Sequence, residues 1–197
     1  MREVILIKTG EIALKGLNRG SFEDILVKNI RWRLKPFGKF EIQRAQSAIT
    51  LQPLSDDIDL DEGCEAVGKI FGIAAYSRAL VTEKDFETIR RDAVVYLESA
   101  MEDIRTFKVE AKRSDKRFPY TSPEISAELG GDLLQAYPHL KVDVRHPDMT
   151  VMVEIRDYAA YIHGPQIEGA GGLPVSSSGQ AMLLISGGID SPVAGYM

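Results

Sequence analysis

The residues best suited to chemistry lie close to the C-terminus, in Ser186-Gly187-Gly188-Ile189-Asp190-Ser191. Two glycines let a backbone bend tightly and come close to an anion, while the serine hydroxyls can donate to it. The apolar run Met182-Leu183-Leu184-Ile185 before it reads as a buried parallel strand, and Pro192-Val193-Ala194-Gly195 after it as a helix start capped by Ser191. Strand, glycine loop and helix start together form a phosphate-binding layout. No Lys-Ser or Lys-Thr pair follows the glycines, so the loop is not a Walker A sequence.

A second group of residues is basic. Lys108, Lys112, Arg113, Lys116 and Arg117 fall within ten residues, beside Phe118 and Tyr120. Cations in a fixed shape match the phosphates of folded RNA, and an aromatic ring can stack on a base. Lys15 and Arg19, in a stretch with Gly10, Gly16 and Gly20, add a weaker candidate site. The net charge of −5 hides this partition, because residues 1–44 carry +5 and residues 104–121 carry +4. The three histidines lack metal-ligand spacing, and a single cysteine, Cys64, excludes both an internal disulfide and a cysteine-zinc cluster. Acidic neighbours disfavour its thiolate, so Cys64 reads as structural. No apolar run is long enough for a membrane span or a signal-peptide core, which points to a cytoplasmic protein.

The pattern of elements needed to position these residues is βαββαβ in the first part of the chain. A strand at 3–8, a helix capped by Ser21, a hairpin at 39–44 and 47–52, a helix near 59–70 and a strand near 73–81 give a ferredoxin-like unit. A second unit follows Thr82, a candidate cap with Asp85 three residues on. Phe86, Ile89, Ala93, Leu97 and Met101 form a helical stripe, and residues 105–113 alternate as a strand with Phe107, Val109 and Ala111 inward. A helix opened by Ser122-Pro123-Glu124 carries Gly130-Gly131, which predicts close backbone packing there. Strands near 141–145, 149–156 and 158–163 complete the unit. A glycine- and serine-rich linker follows, in which Gly171-Gly172-Leu173-Pro174 is more specific than a spacer requires.

Four stretches carry a family resemblance. Phe107-Lys108-Val109 with Lys112-Arg113-Ser114-Asp115-Lys116-Arg117-Phe118-Pro119, continued by Glu128-Leu129-Gly130-Gly131 and Val142-Asp143-Val144, resembles a THUMP domain, an RNA-binding module. Gly10-Glu11-Ile12-Ala13-Leu14-Lys15-Gly16 with Asn18-Arg19 resembles the domain that precedes THUMP in one enzyme family. Gly169 to Val175 and then Leu184 to Tyr196 are similar to the start of that family's pyrophosphate-loop ATPase domain. The family is that of the tRNA 4-thiouridine synthetases, or tRNA sulfurtransferases.

The resemblance implies an α+β chain: a ferredoxin-like domain at 1–60 with its last helix and strand reaching to about 81, THUMP at 61–165, a linker at 166–181, and the truncated first βα unit of an α/β adenylating ATPase at 182–197. It implies that Ser186, Gly187, Gly188, Asp190 and Ser191 hold the phosphates of ATP, that Asp190 helps organise the phosphate–Mg2+ site, and that Leu184 and Ile185 lie toward adenosine. Lys15, Arg19, Lys108, Lys112, Arg113, Lys116 and Arg117 would contact tRNA. The implied reaction adenylates uridine 8 of tRNA and replaces the oxygen by persulfide sulfur from a cysteine desulfurase. Thiocarboxylation of a sulfur-carrier protein for thiamine thiazole is a second implied role, and a homodimer a further expected assembly. The persulfide cysteine is expected downstream, and this chain alone is expected to be inactive. A non-catalytic RNA-binding module and a different adenylating enzyme of tRNA modification remain alternatives.

Overall fold

The computed structural model describes residues 1–45, 48–180 and 182–196. Eight strands lie side by side in one sheet of order β2-β3-β1-β4-β8-β7-β5-β6, with a ninth short strand pairing off this path on β4. The first unit comprises β1 (Arg2–Thr9), α1 (Arg19–Leu34), β2 (Phe40–Ala45), β3 (Ala48–Pro53), α2 (Leu60–Gly68) and β4 (Ile73–Thr82). Alternation along β1 sends Ile5 and Ile7 into one apolar cluster with Leu26, Ile30 and Leu34 of α1 and Val67 of α2. Val4 and Leu6 point to the other face, where they meet Ala79 of β4. Ser47, expected to open the second hairpin strand, lies outside the described residues.

The second unit comprises α3 (Phe86–Glu102), β5 (Thr106–Arg113), α4 (Ser122–Ala136), β6 (Lys141–Val142), β7 (Met149–Ile155) and β8 (Ala160–His163). The α3 stripe packs as expected with Phe107, Leu129 and Val151 in a separate apolar cluster. The two units share the sheet because β4 pairs with β8 through Leu80↔Ile162, Val81↔Tyr161 and Thr82↔Ala160.

Several local expectations are corrected. Helix α1 opens at Arg19, two residues before Ser21, after two 3-10 turns at Glu11–Leu14 and Gly16–Asn18. Asp85, not Thr82, caps α3, accepting from the Thr88 amide at 2.9 Å. The Thr82 hydroxyl instead donates to Asp92 at 2.6 Å. Strand β6 stops at Val142 because the Asp143 side chain accepts from the amides of Arg145 and His146, turning the chain out of the sheet. A Cβ on Gly130 or Gly131 would meet nothing within 4 Å, so close packing does not explain this pair.

The linker is not a free spacer. Strand β9 (Ile167–Glu168) pairs with Ala75 and Tyr76 of β4. Beyond it, the Gly171 amide donates to Ile73 O at 2.8 Å and the Gly72 amide to Gly171 O at 2.7 Å. Leu173 packs against the first unit's apolar cluster, and the Asn29 side-chain amide donates to Val175 O at 3.1 Å. Gly171 and Gly172, both at φ +66, make the turn that seats this strap. Ala181, the expected end of the linker, and Met197 lie outside the described residues.

Residues 182–185 form no strand. Leu184 and Ile185 are 87% and 74% exposed, since no neighbouring strand lies beside them among the described residues. The helix after the glycine loop, α5 (Asp190–Tyr196), opens one residue before Ser191, so Ser191 is not its cap.

Candidate nucleic-acid interface

Strand register brings the two units' polar ends together. Lys112 of β5 lies opposite Glu154 of β7, which lies opposite Tyr161 of β8. Lys8, at the end of β1, reaches across from the first unit to place its Nζ 3.4 Å from Glu154 Oε1. A cleft of about 550 Å3 opens above them, with Arg44, Arg113, Arg156 and Tyr158 also in its walls. Five cations therefore face two acids, Glu154 and Asp157, across a junction between units. Tyr158 is 98% exposed at the rim, and the Arg156 guanidinium lies 4.9 Å from the Tyr161 ring centroid.

Glu154 organises the floor of this cleft. Its carboxylate is buried, Arg156 Nη2 donates to it at 2.6 Å, and the fully buried His163 holds Nε2 3.6 Å from Oε1. His163 Nδ1 lies 2.7 Å from Gly164 O, a distance at which it donates. Burial pushes the Glu154 carboxyl up, but His163, Arg156 and Lys8 together outweigh it and hold the group well below the usual carboxylate range. The acid thus stays ionised and keeps Lys8 and Arg156 aimed at the cleft.

The residues singled out from sequence are only partly assembled here. Lys112 and Arg113 line the cleft, though Arg113 Nη1 donates to Phe118 O at 3.1 Å, steadying the loop after β5. Arg117 is held by Asp115, through Nε at 3.1 Å and its own amide at 2.9 Å. Arg117 first, and Lys84 second, keep the Asp115 carboxyl well below its ordinary range. Lys108 pairs with Glu110 at 2.7 Å, and Arg19 with Glu23 at 2.6 Å. Arg19 lines a smaller neighbouring pocket of about 160 Å3 together with Arg44. Lys15 sits 5.2 Å over the Phe22 ring. Lys116 is exposed and makes no ion pair among the described residues. Lys8, Arg44, Arg156 and Tyr158 were missed by sequence reasoning. Their alternation marks Lys8 and Arg44 as strand residues, but only the tertiary pairing brings them opposite β5 and β7.

The glycine loop closes on itself. The Ser186 amide donates to Ser191 Oγ at 3.1 Å, the two hydroxyls lie 3.2 Å apart, and the Gly188 amide reaches Ser186 Oγ at 3.4 Å. Two hydroxyls, glycine amides and the Asp190 carboxylate suit a phosphate with its counter-cation, and Leu184 and Ile185, the residues expected toward adenosine, stand exposed just before them. Among the described residues, no three His, Cys, Asp or Glu side chains are grouped to hold a metal. No helix of the described residues is long and apolar enough to cross a membrane.

Family models describe nearly the whole length: the ThiI ferredoxin-like domain matches residues 4–77, the THUMP domain 83–163, and the thiamine biosynthesis protein (ThiI) 176–197. A protein of Acetivibrio thermocellus designated "Probable tRNA sulfurtransferase" is 46% identical over 199 residues, covering 100% of this chain and 50% of that relative. The chain is similar to the tRNA sulfurtransferases along its whole length. It spans about half the length of the curated relatives it matches. A crystal structure of a 4-thiouridine synthetase–RNA complex with bound ATP superposes with a TM-score of 0.84 at 37% identity, covering 100% of this chain and 49% of that one. PH1313 from Pyrococcus horikoshii superposes at 0.78 with 31% identity, covering 88% of this chain and 57% of its own. The α+β architecture of this chain, a ferredoxin-like domain followed by THUMP, matches these models and that structure.

Proposed function

We propose that this chain is the tRNA-binding part, with the first phosphate loop, of an ATP-dependent sulfurtransferase that makes 4-thiouridine at position 8 of tRNA. The cleft carries the reading: it brings Lys8 and Arg44 of one unit opposite Lys112 and Arg156 of the other, on either side of a buried carboxylate. Cations fixed by a fold neutralise phosphates without reordering, and the exposed Tyr158 offers a face for a base. The RNA complex of the superposed 4-thiouridine synthetase supports the same partner for this chain.

In this reading Lys15, Arg19, Lys108, Arg113, Lys116 and Arg117 flank the cleft contacts; the first domain takes its last helix and strand to about 81, THUMP follows to 165, the linker is 166–181 and the ATPase part begins at 182. Ser186, Gly187, Gly188 and Ser191 would receive the phosphates of ATP, and Asp190 would help hold the Mg2+ that neutralises them. The bound ATP of the superposed synthetase supports the nucleotide. The uridine oxygen is adenylated with loss of pyrophosphate, and a persulfide sulfur supplied through a cysteine desulfurase then displaces the adenylate. A sulfur-carrier protein of thiamine synthesis is a second acceptor, which the thiamine-biosynthesis description of the matched segment supports. The work is cytoplasmic, where tRNA is, and a homodimer is its assembly.

The test is the salt dependence of tRNA binding by Arg44→Ala/Lys112→Ala. Among the described residues Arg44 pairs with the exposed Asp24 alone, so the fold keeps its stability within about 1 kcal/mol. Losing two phosphate contacts lowers the slope of log affinity against log salt by about 1.4–1.8. An unchanged slope in a folded variant would reject the cleft as the RNA site.

A further inference from the structure

A longer run of uncommitted positive charge lies outside the basic strip, where Lys116 also makes no ion pair among the described residues. Between Ile25 and Phe40 the sequence holds five cations, Lys28, Arg31, Arg33, Lys35 and Lys39, and no acid, in a chain whose net charge is −5. All five are exposed, and none of their side chains makes an ion pair or hydrogen bond among the described residues. The strip cations Lys108, Arg113 and Arg117 are by contrast each held by a carboxylate or a carbonyl. A paired cation offers a phosphate only part of its charge and donors; a free one offers all of them.

The arrangement is directional. Lys28, Arg31, Trp32 and the C-cap Lys35 stand at i, i+3, i+4 and i+7, a stripe of α1 continued onto its cap, opposite the buried Leu26, Ile30 and Leu34. Trp32 is 74% exposed on that stripe. At its end a pocket of about 320 Å3 is lined by Arg31, Lys35 and Lys39 over an apolar floor that includes Phe40 and Leu54. The helix dipole favours cations in a last turn, which accounts for Arg31 and Arg33. It does not account for Lys39, which lies beyond the helix yet lines the same pocket. Like charges at i,i+3 and i,i+4 cost a helix some stability, and a bound anion would remove that cost.

We infer that the outer face of α1 is a second RNA-backbone site, with phosphates in the Arg31/Lys35/Lys39 pocket and a base against Trp32. This rests on the RNA reading of the cleft and adds a separate surface to it. Charge complementarity selects the occupant: a polyanion is matched by five free cations, and an exposed indole between them suits a stacked base.

Trp32 is the chain's only tryptophan, so its emission reports this face directly. The experiment titrates the 197-residue chain with a tRNA transcript, following Trp32 emission and, in parallel, the anisotropy of end-labelled RNA. The expected result is quenching with the same midpoint as the anisotropy, both weakening with salt. Arg31→Ala/Lys35→Ala/Lys39→Ala should flatten the salt slope by about 2.1–2.7, and Trp32→Ala should weaken binding about fivefold or more. Thermal melting checks that both variants fold, which exposed positions favour. Anisotropy that saturates while Trp32 stays silent and the triple variant keeps its slope would overturn the inference, leaving the cleft as the RNA site and the α1 face for a protein partner. No RNA binding by the unaltered chain would overturn the RNA reading and this inference together.

Discussion

Glu154→Gln should destabilise the protein, and the size of the effect can be worked from its surroundings. The carboxylate is 9% exposed at its side chain and neutralises Arg156, 18% exposed, and Lys8, 32% exposed. An amide of the same shape leaves both cations without a counter-charge. Breaking a buried pair costs about 3–5 kcal/mol, but Lys8 keeps part of its hydration, so about 2–3 kcal/mol is expected here. At about 2–4 °C per kcal/mol for a domain of this size, the melting temperature falls by about 5–10 °C at pH 7. The acid's folded pKa is depressed, so its stabilisation is complete above the ordinary carboxylate value and is lost as pH falls below it. The gap between the two proteins should therefore be constant from pH 8 to about 5 and narrow on further acidification. Thermal melts across that range decide it. A gap under about 2 °C at neutral pH, or one that widens in acid, would refute the role given to this carboxylate.

Two further outcomes are expected. Burial, then the nearby Asp61, pushes the Cys64 thiol up to about 11, so a thiol reagent at pH 8 should label the folded chain slowly and the denatured chain at the rate of a free thiol. Gly72 sits at φ +99 with Pro174 Cγ only 2.9 Å from where a Cβ would stand, so Gly72→Ala should loosen the strap. Limited proteolysis should then cut faster between residues 170 and 180 than in the unaltered chain, and equal rates would show that this turn does not hold the segment.

Much of the fold is legible in the sequence because its signals are local. Phe86, Ile89, Ala93, Leu97 and Met101 declare α3 by spacing alone, and Phe107, Val109 and Ala111 declare β5. Caps are less legible, since Thr82 and Asp85 are both acceptable N-cap types and only the entry of Thr82 into β4 decides for Asp85. The apolar run 182–185 has a strand's composition, but a strand also requires a neighbour to pair with. Motif reading found Lys112 and Arg113, which sit in one continuous stretch. It could not find Lys8, Arg44 and Arg156, which meet the cleft through strand order rather than through sequence proximity. Nor does sequence separate a free cation from a held one: Arg117 and Lys35 look alike until Asp115 is seen beside the first.

The junction at β4 has one more consequence. Leu80, Val81 and Thr82 belong to the first unit by chain order, yet they serve as the neighbouring rung for Ala160, Tyr161 and Ile162 of the second. Neither half owns its boundary. A cut between them would leave Ala160–Ile162 as a bare sheet margin beside the apolar Val153 and Ile155, ready to recruit the same margin of another molecule. The hydrogen bonds that join the halves also fix how far Lys8 stands from Glu154, so the gap between the two sides of the cleft works as a gauge of constant width. A polyanion that bridged the two walls would meet their cations at the spacing this pairing sets.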